Sequence, residues 1–155
     1  MLLFEASELS SQLSTWLDAA SFGSQPARAI IVPHAGYRYS GACAAFGFKQ
    51  IDSESTVHYV LNCAVYEELK STGEFISFAL GQDEDEHSIE MQFPYIAKVM
   101  ERFRDRFTIV PIVVGNLSPE REALYGRILA PYLANSSNVF VISSDFCHWA
   151  EHSVP

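Results

Sequence analysis

Residues 30–37 read IIVPHAGY, a β-branched apolar run that stops at Pro33 and sets a histidine where the chain must turn. Extended back to Arg28, the run RAIIV has strand length. On its far side, Gly36 to Gly41 reads as a turn, and GACAAFGFKQI (41–51) as a small-residue helix packed closely on a sheet. On its near side, Leu9, Leu13, Trp16 and Leu17 form an i, i+4, i+7, i+8 stripe over residues 7–20. Gly23 and Pro26 end that helix.

The same alternation continues along the chain. VHYVL (57–61) is a second strand, AVYEELKSTG a helix closed by Gly73, and EFISFAL (74–80) a third strand. HSIEMQFPYIAKVMERF is the longest helical pattern, with Ile89, Phe93, Ile96, Val99 and Phe103 on its apolar side and Pro94 starting or kinking it. FTIVPIVVG (107–115) reads as a nearly all-apolar strand. A helix follows, with Ser118 as N-cap, Pro119 at its first position and Glu122 near its first turn. NVFVISSDFCHW then runs from an apolar strand directly into polar residues. Continuous hydrophobic strands alternating with helices predict an α/β fold, a mostly parallel sheet flanked by helices on both faces. With no repeat, low-complexity tract or linker, residues 1–155 read as one domain.

Hydrophobic residues make up 48% of the chain, charged residues 19% and aromatics 13%, a globular composition. Ten basic against 19 acidic residues give a net charge of −9, which repels phosphate backbones and argues against a nucleic-acid partner. No apolar run approaches the roughly 20 residues of a membrane span, so no membrane insertion is expected. The N-terminal stretch meets Glu5 and Glu8 early and has no basic residue before Arg28, unlike a signal or transit peptide. Cys43, Cys63 and Cys147, odd in number and widely spaced, suggest free thiols in a reducing compartment. A cytoplasmic protein is the expectation, with the nucleus left open as a second location.

In open α/β sheets, ligands bind beyond the carboxyl ends of the strands. Three strand ends here carry notable residues: Pro33-His34-Ala35-Gly36, Gly115-Asn116, and Ser143-Ser144-Asp145-Phe146-Cys147-His148-Trp149. If these strands are parallel, His34, Asp145 and His148 reach one rim. Asp145 and His148 suit a metal-ligand pair, or a catalytic histidine base with its orienting carboxylate. The plainer readings stay beside these: His34 capping a helix or bonded to backbone, Asp145 capping the next turn, His148 on the surface. Gly36 allows close approach of a ligand to the backbone. In DEDEHSIEM (83–91) the acidic run is favourable at a helix start for structural reasons, with Glu86 or His87 reaching the pocket as the weaker alternative. Cys147 reads equally as a soft ligand, a redox-sensitive thiol or a buried small residue. His58 and His152 take no role. A Gly-rich phosphate loop, a G-x-S-x-G elbow and paired C-x-x-C motifs are all missing.

Together PARAIIVPHAGYRYSGACAA, DEDEHSIEMQFPYIAKVME, FTIVPIVVG and NVFVISSDFCHW resemble the MEMO family, mediators of ErbB-driven cell motility, over most of residues 26–149. The resemblance implies a fold related to the LigB-type class III extradiol dioxygenases. It also implies a cytosolic protein that binds copper or iron, affects redox state, binds phosphotyrosine receptor peptides and links receptor tyrosine kinases to the cytoskeleton. By position, His34 matches a family metal ligand, while Asp145 and His148 match pocket residues beside the metal. Two departures follow. The family's Gly-Pro-Ser-His-His segment, which supplies a further histidine ligand, is absent where this chain runs from VHYVLN into CAVYEELKSTGEF. Nothing shows that the nearby Cys63 replaces that imidazole. A family cysteine ligand belongs to a second half that lies beyond Pro155. The expectation is therefore a truncated or internally deleted member with an incomplete fold, an open sheet edge or bare face, and weak metal binding.

Two functions remain in view. One is a signalling adaptor with a metal-capable pocket and with Arg28 and Arg38 as peptide-binding candidates for phosphate. The other is a dioxygenase-like, metal-dependent oxidoreductase with His148 as base. Whether the chain is an enzyme stays open at this stage.

Overall fold

A computed structural model describes residues 5–23, 25–54, 63–77 and 87–145. Its sheet pairs β1 (Ala29–Val32) with β2 (Phe140–Ser143) in parallel, Ala29 opposite Phe140 and Val32 opposite Ser143. The parallel arrangement expected from the sequence is thus present. Parallel pairing places the carboxyl ends of the two strands, and the residues that follow them, on one rim. The strand expected at 57–61 lies outside the described residues.

The helices are α1 (Ala6–Ala19), α2 (Tyr37–Phe48), α3 (Cys63–Ser71), the single turn α4 (His87–Glu90), α5 (Phe93–Val99) and α6 (Pro119–Ala134). A 3₁₀ turn, Glu101–Phe103, follows α5. α1 and α2 pack on each other and on α5, and α2 lies against β1. The core consists of Leu13, Ala20, Ile30, Val32, Ala44, Ala45, Phe48 and Tyr95. Leu9, Trp16 and Leu17 pack against it, so the whole predicted stripe of α1 faces inward.

α2 approaches its neighbours closely because two of its positions lack a side chain. A Cβ on Gly41 would stand 2.3 Å from the ring of Trp16, and one on Gly47 would stand 2.5 Å from Val32 Cγ1. The reading of Gly36–Gly41 as a turn is corrected here: the helix starts at Tyr37, with the amides of Tyr39 and Ser40 donating to the Gly36 carbonyl. Gly41 serves contact with Trp16, not chain reversal. Phe48 stacks on Tyr95 with ring centroids 4.7 Å apart, and the Tyr95 hydroxyl donates to the Gly41 carbonyl at 2.7 Å. The buried phenol therefore keeps its hydrogen bond.

The expected long helix over 87–103 is broken at Met91–Gln92 into α4 and α5. Pro94 has no N–H to donate to Glu90, four residues earlier, and its ring crowds that carbonyl. The break resets the helical phase. Tyr95 becomes fully buried while Phe93, placed on the apolar side by periodicity, is 39% exposed. FTIVPIVVG also departs from expectation, forming no ladder among the described residues. Pro111 cannot donate to one, and Val114 is exposed. Glu74–Ser77 of the expected third strand are not in a strand either, and 78–80 lie outside the described residues.

The closure of α3 at Gly73 is as expected, with φ at +77°, where a side chain would be strained. The start of α6 is also as read: Ser118 Oγ accepts from the Arg121 amide and Pro119 opens the helix. Its far end is tied to the sheet by Arg28, which precedes β1. Arg28 Nε donates to Asn138 O at 3.2 Å, and its Nη2 donates to Leu133 O at 2.8 Å and to Asn135 O. A cation on the last carbonyls of a helix also complements its dipole.

Burial alternates along β1. Ile30 and Val32 face α2 and the core, whereas Ile31 is 52% exposed beside its partner Ile142 at 44%. Among the described residues the helices cover one face of the sheet well, and the isoleucine pair marks the barer one.

Candidate functional site

The ladder fixes the site. Ser144 N donates to Val32 O at 2.9 Å, the last rung beyond the paired residues. Pro33 then offers no N–H, and the next two amides of that chain turn to a side chain instead. His34 N donates to Asp145 Oδ1 at 2.6 Å and Ala35 N donates to the same oxygen at 3.2 Å. The carboxylate thus takes over from the ladder just ahead of α2, where a negative charge also suits the helix N-terminus. The other carboxylate oxygen, Oδ2, lies 3.6 Å from His34 Nε2, with both side chains largely shielded from solvent. The two residues are more than a hundred positions apart in sequence and adjacent in space.

The opposite edge of the imidazole meets a serine. His34 Nδ1 is 3.0 Å from Ser143 Oγ, which donates to Ser88 O at 2.6 Å and accepts from Gln92 Nε2 at 2.9 Å. Gln92, itself buried, also donates to Pro33 O at 3.2 Å and faces Ser88 O at 3.4 Å. α4 and the turn after it are therefore fastened to the strand ends. Tyr37 strengthens that fastening by donating its hydroxyl to Met91 O at 2.7 Å. Burial, with Glu90 nearby, pushes the Tyr37 phenol well above the usual tyrosine range.

The sequence-predicted residues fall in different places. His34 and Asp145 meet; Cys147 and His148 lie outside the described residues, as do Glu86, His58 and His152. The His87 side chain is largely exposed and lies 3.5 Å from Glu90. Its neighbour Ser88 supplies a carbonyl to the site instead. Arg28 is engaged with the three carbonyls described above. Arg38, exposed on the first turn of α2, lies over the Tyr39 ring at 4.5 Å and donates to the Tyr39 hydroxyl. The sequence pattern assigns no role to Ser143, which it sets at a strand end, or to Gln92. Ser143 had a signal, being a polar residue at the end of an apolar strand; Gln92 had none, since its burial follows from the helix break.

Iron or copper, the ions implied by the resemblance, can be tested against this donor set. Donors each about 2.1 Å from a small ion, at angles between octahedral and tetrahedral, are roughly 3.0–3.4 Å apart. The 3.6 Å between His34 Nε2 and Asp145 Oδ2 is close to that separation. These two side chains suit one ion, but among the described residues no group of three or more His, Cys, Asp or Glu gathers to hold a metal. No described helix is long and apolar enough to cross a membrane.

A family profile described as Memo-like protein matches residues 4–65 and 60–154. The two matched segments overlap over residues 60–65. Protein MEMO1 of Xenopus laevis is 46% identical over 174 residues, covering 94% of this chain and 59% of its own length. The Homo sapiens Protein MEMO1 is 44% identical over 173 residues, covering 93% of this chain and 58% of its own. The Protein memo-1 homolog of Caenorhabditis elegans is 41% identical, covering 93% and 49%. The chain thus spans about half to three fifths of the length of these relatives. The matched stretch of 174 residues exceeds the 155 of the whole chain, so relatives carry internal positions with no counterpart here. With likeness of this extent along nearly all its residues, the chain belongs to the Memo-like protein family.

Proposed function

We propose that this chain is a MEMO-like signalling protein of the cytoplasm that links receptor tyrosine kinases to the cytoskeleton and cell motility, with a strand-end pocket that binds iron or copper weakly. The observation that supports the pocket is the meeting of His34 and Asp145, whose Nε2 and Oδ2 face each other at 3.6 Å while Oδ1 is taken up by backbone amides. His148 is the proposed third member. A bound iron or copper ion would supply Lewis-acid and one-electron chemistry. The chain's own residues would position it: Asp145 by its grip on the backbone of 34 and 35, and His34 through Ser143. Phosphate recognition in a receptor peptide falls to Arg38, because the guanidinium of Arg28 is occupied by carbonyls.

Anaerobic calorimetric titration with ferrous iron tests the pocket. Expected is about one site per chain with a Kd above about 1 μM, weaker than about 8 kcal/mol of binding, abolished in His34→Ala. One tightly held ion per chain would refute the weak-site reading, and identical binding by His34→Ala would refute the pocket. Peptide affinity measured with and without the phosphate tests the partner; equal values, or no loss in Arg38→Ala, would remove phosphate recognition.

A further inference from the structure

We infer that Ser143 and Gln92 are positioning residues that hold neutral His34 as the Nδ1–H tautomer, leaving Nε2 as its one lone-pair nitrogen, turned to the same side as Asp145 Oδ2. The inference deepens the pocket reading above, but rests on hydrogen-bond valence and stands or falls without any metal.

A serine hydroxyl has one hydrogen and two lone pairs. Among the described residues, Ser143 Oγ has three polar neighbours. The Ser88 carbonyl, at 2.6 Å, can only accept, so it takes the hydrogen. The Gln92 amide nitrogen, at 2.9 Å, can only donate, so it fills one lone pair. The third neighbour, His34 Nδ1 at 3.0 Å, must then donate to the remaining lone pair. The assignment depends on which way the Gln92 amide faces, and its surroundings decide that. The atom turned toward Ser143 also faces Pro33 O at 3.2 Å and Ser88 O at 3.4 Å. Reversing the amide would set its oxygen against two carbonyl oxygens that cannot donate. Gln92 is 96% withdrawn from solvent, so water does not relieve such a clash.

The consequence appears on the other edge of the ring. Nδ1–H leaves Nε2 with a lone pair when the imidazole is neutral. Nε2 stands 3.6 Å from Asp145 Oδ2, while Oδ1 already accepts two amides. Two acceptors face each other there, an arrangement that favours a cation between them. The opposite tautomer would turn an N–H toward the carboxylate and close the pair to a metal ion. Selection of the ligating nitrogen by the bond its partner nitrogen makes is a general device, and loss of such a supporting group costs about 10–100-fold in metal affinity.

The test uses the whole metal-free chain labelled with ¹⁵N-histidine, observed by long-range proton–nitrogen correlation at about pH 9, above the ordinary histidine range. His34→Gln identifies the signal. Expected for the wild type is a protonated Nδ1 and an unprotonated Nε2. Ser143→Ala should move the population toward Nε2–H, and Ser143→Thr, which keeps the hydroxyl, should restore Nδ1–H. An Nε2–H ring in the folded wild type overturns the inference without need of any variant. An unchanged ring in a folded Ser143→Ala protein overturns the role of Ser143. Titration with ferrous iron is the separate arm, with affinity about 10–100-fold lower in Ser143→Ala and recovered in Ser143→Thr. Wild type with the expected tautomer but no iron binding supports the inference and removes the metal reading alone.

Discussion

Replacing Asp145 separates the structural from the chemical work of the site. In the native chain its Oδ1 satisfies the amides of His34 and Ala35 at 2.6 and 3.2 Å, in a place where Pro33 has ended the strand ladder. Asp145→Ala strips both amides of a charged acceptor. A hydrogen bond to a charged group contributes about 1.5–3 kcal/mol, and an abandoned buried donor about 1–3 kcal/mol. The Asp145 side chain keeps 17% of its exposure, so water recovers part of the loss. The expected net cost is about 2–4 kcal/mol. Asp145→Asn retains an oxygen in place and gives up the charge, for about 1 kcal/mol. Urea denaturation read by tryptophan fluorescence measures both, and the alanine variant should melt roughly 4–16 °C lower for a chain of this size. Both variants should also weaken ferrous iron binding, since both remove the negative charge beside Nε2. An alanine variant within about 0.5 kcal/mol of wild type would refute the claim that the carboxylate replaces the ladder. Equal destabilisation by alanine and asparagine would show that charge, not hydrogen-bond valence, is what these amides need.

Gly41→Ala should destabilise by about 1–3 kcal/mol, because the new methyl stands 2.3–3.0 Å from three atoms of the Trp16 ring; a shift in tryptophan fluorescence reports the displaced ring. Tyr95→Phe should cost about 0.5–1.5 kcal/mol in chemical denaturation by removing the buried hydroxyl's hydrogen bond to the Gly41 carbonyl. Burial raises the phenols of Tyr37 and Tyr95 above the ordinary value of about 10, so stability is full below pH 10 and falls above it as the unfolded chain releases protons the folded chain retains. Melting curves across pH 8–11 check this, and Tyr95→Phe should flatten the decline. Arg28→Met should loosen the end of α6, at about 1.5–3 kcal/mol for the lost charged donor, with faster hydrogen exchange over residues 133–140.

How much of this was legible beforehand depends on whether the information was local. The stripe Leu9, Leu13, Trp16 and Leu17 faces the core because helix periodicity is a short-range pattern. The Ser118–Pro119 start and the Gly73 stop follow from the chemistry of one or two residues. Proximity of His34 to Asp145 was also accessible, since parallel strands carry their following residues to one rim. The failures lie where a residue has two uses. Gly41 reads as a turn signal, yet its missing side chain admits Trp16. An apolar run such as FTIVPIVVG is compatible with a strand, but pairing is decided by neighbours and Pro111 withholds a donor. Ser143 and Gln92 escaped because a buried polar group is defined by partners that no local window contains.

The site's placement also explains why metal binding and folding need not rise and fall together in this chain. Among the described residues, Nδ1 of the His34 ring is set by neutral groups, the Ser143 hydroxyl with the Ser88 carbonyl and the Gln92 amide behind it. The charged group is Asp145, whose Oδ1 has the structural task of accepting the amides of His34 and Ala35. The rim is therefore assembled by strand register and by the helix break that brings Gln92 to the strand ends. On the reading proposed above, this rim stays intact even where metal is held poorly. It follows that thermal stability should respond little to ferrous iron, by no more than about 0.4 kcal/mol at a fixed free concentration of about 1 μM. A structural metal centre would instead raise stability by many times that amount.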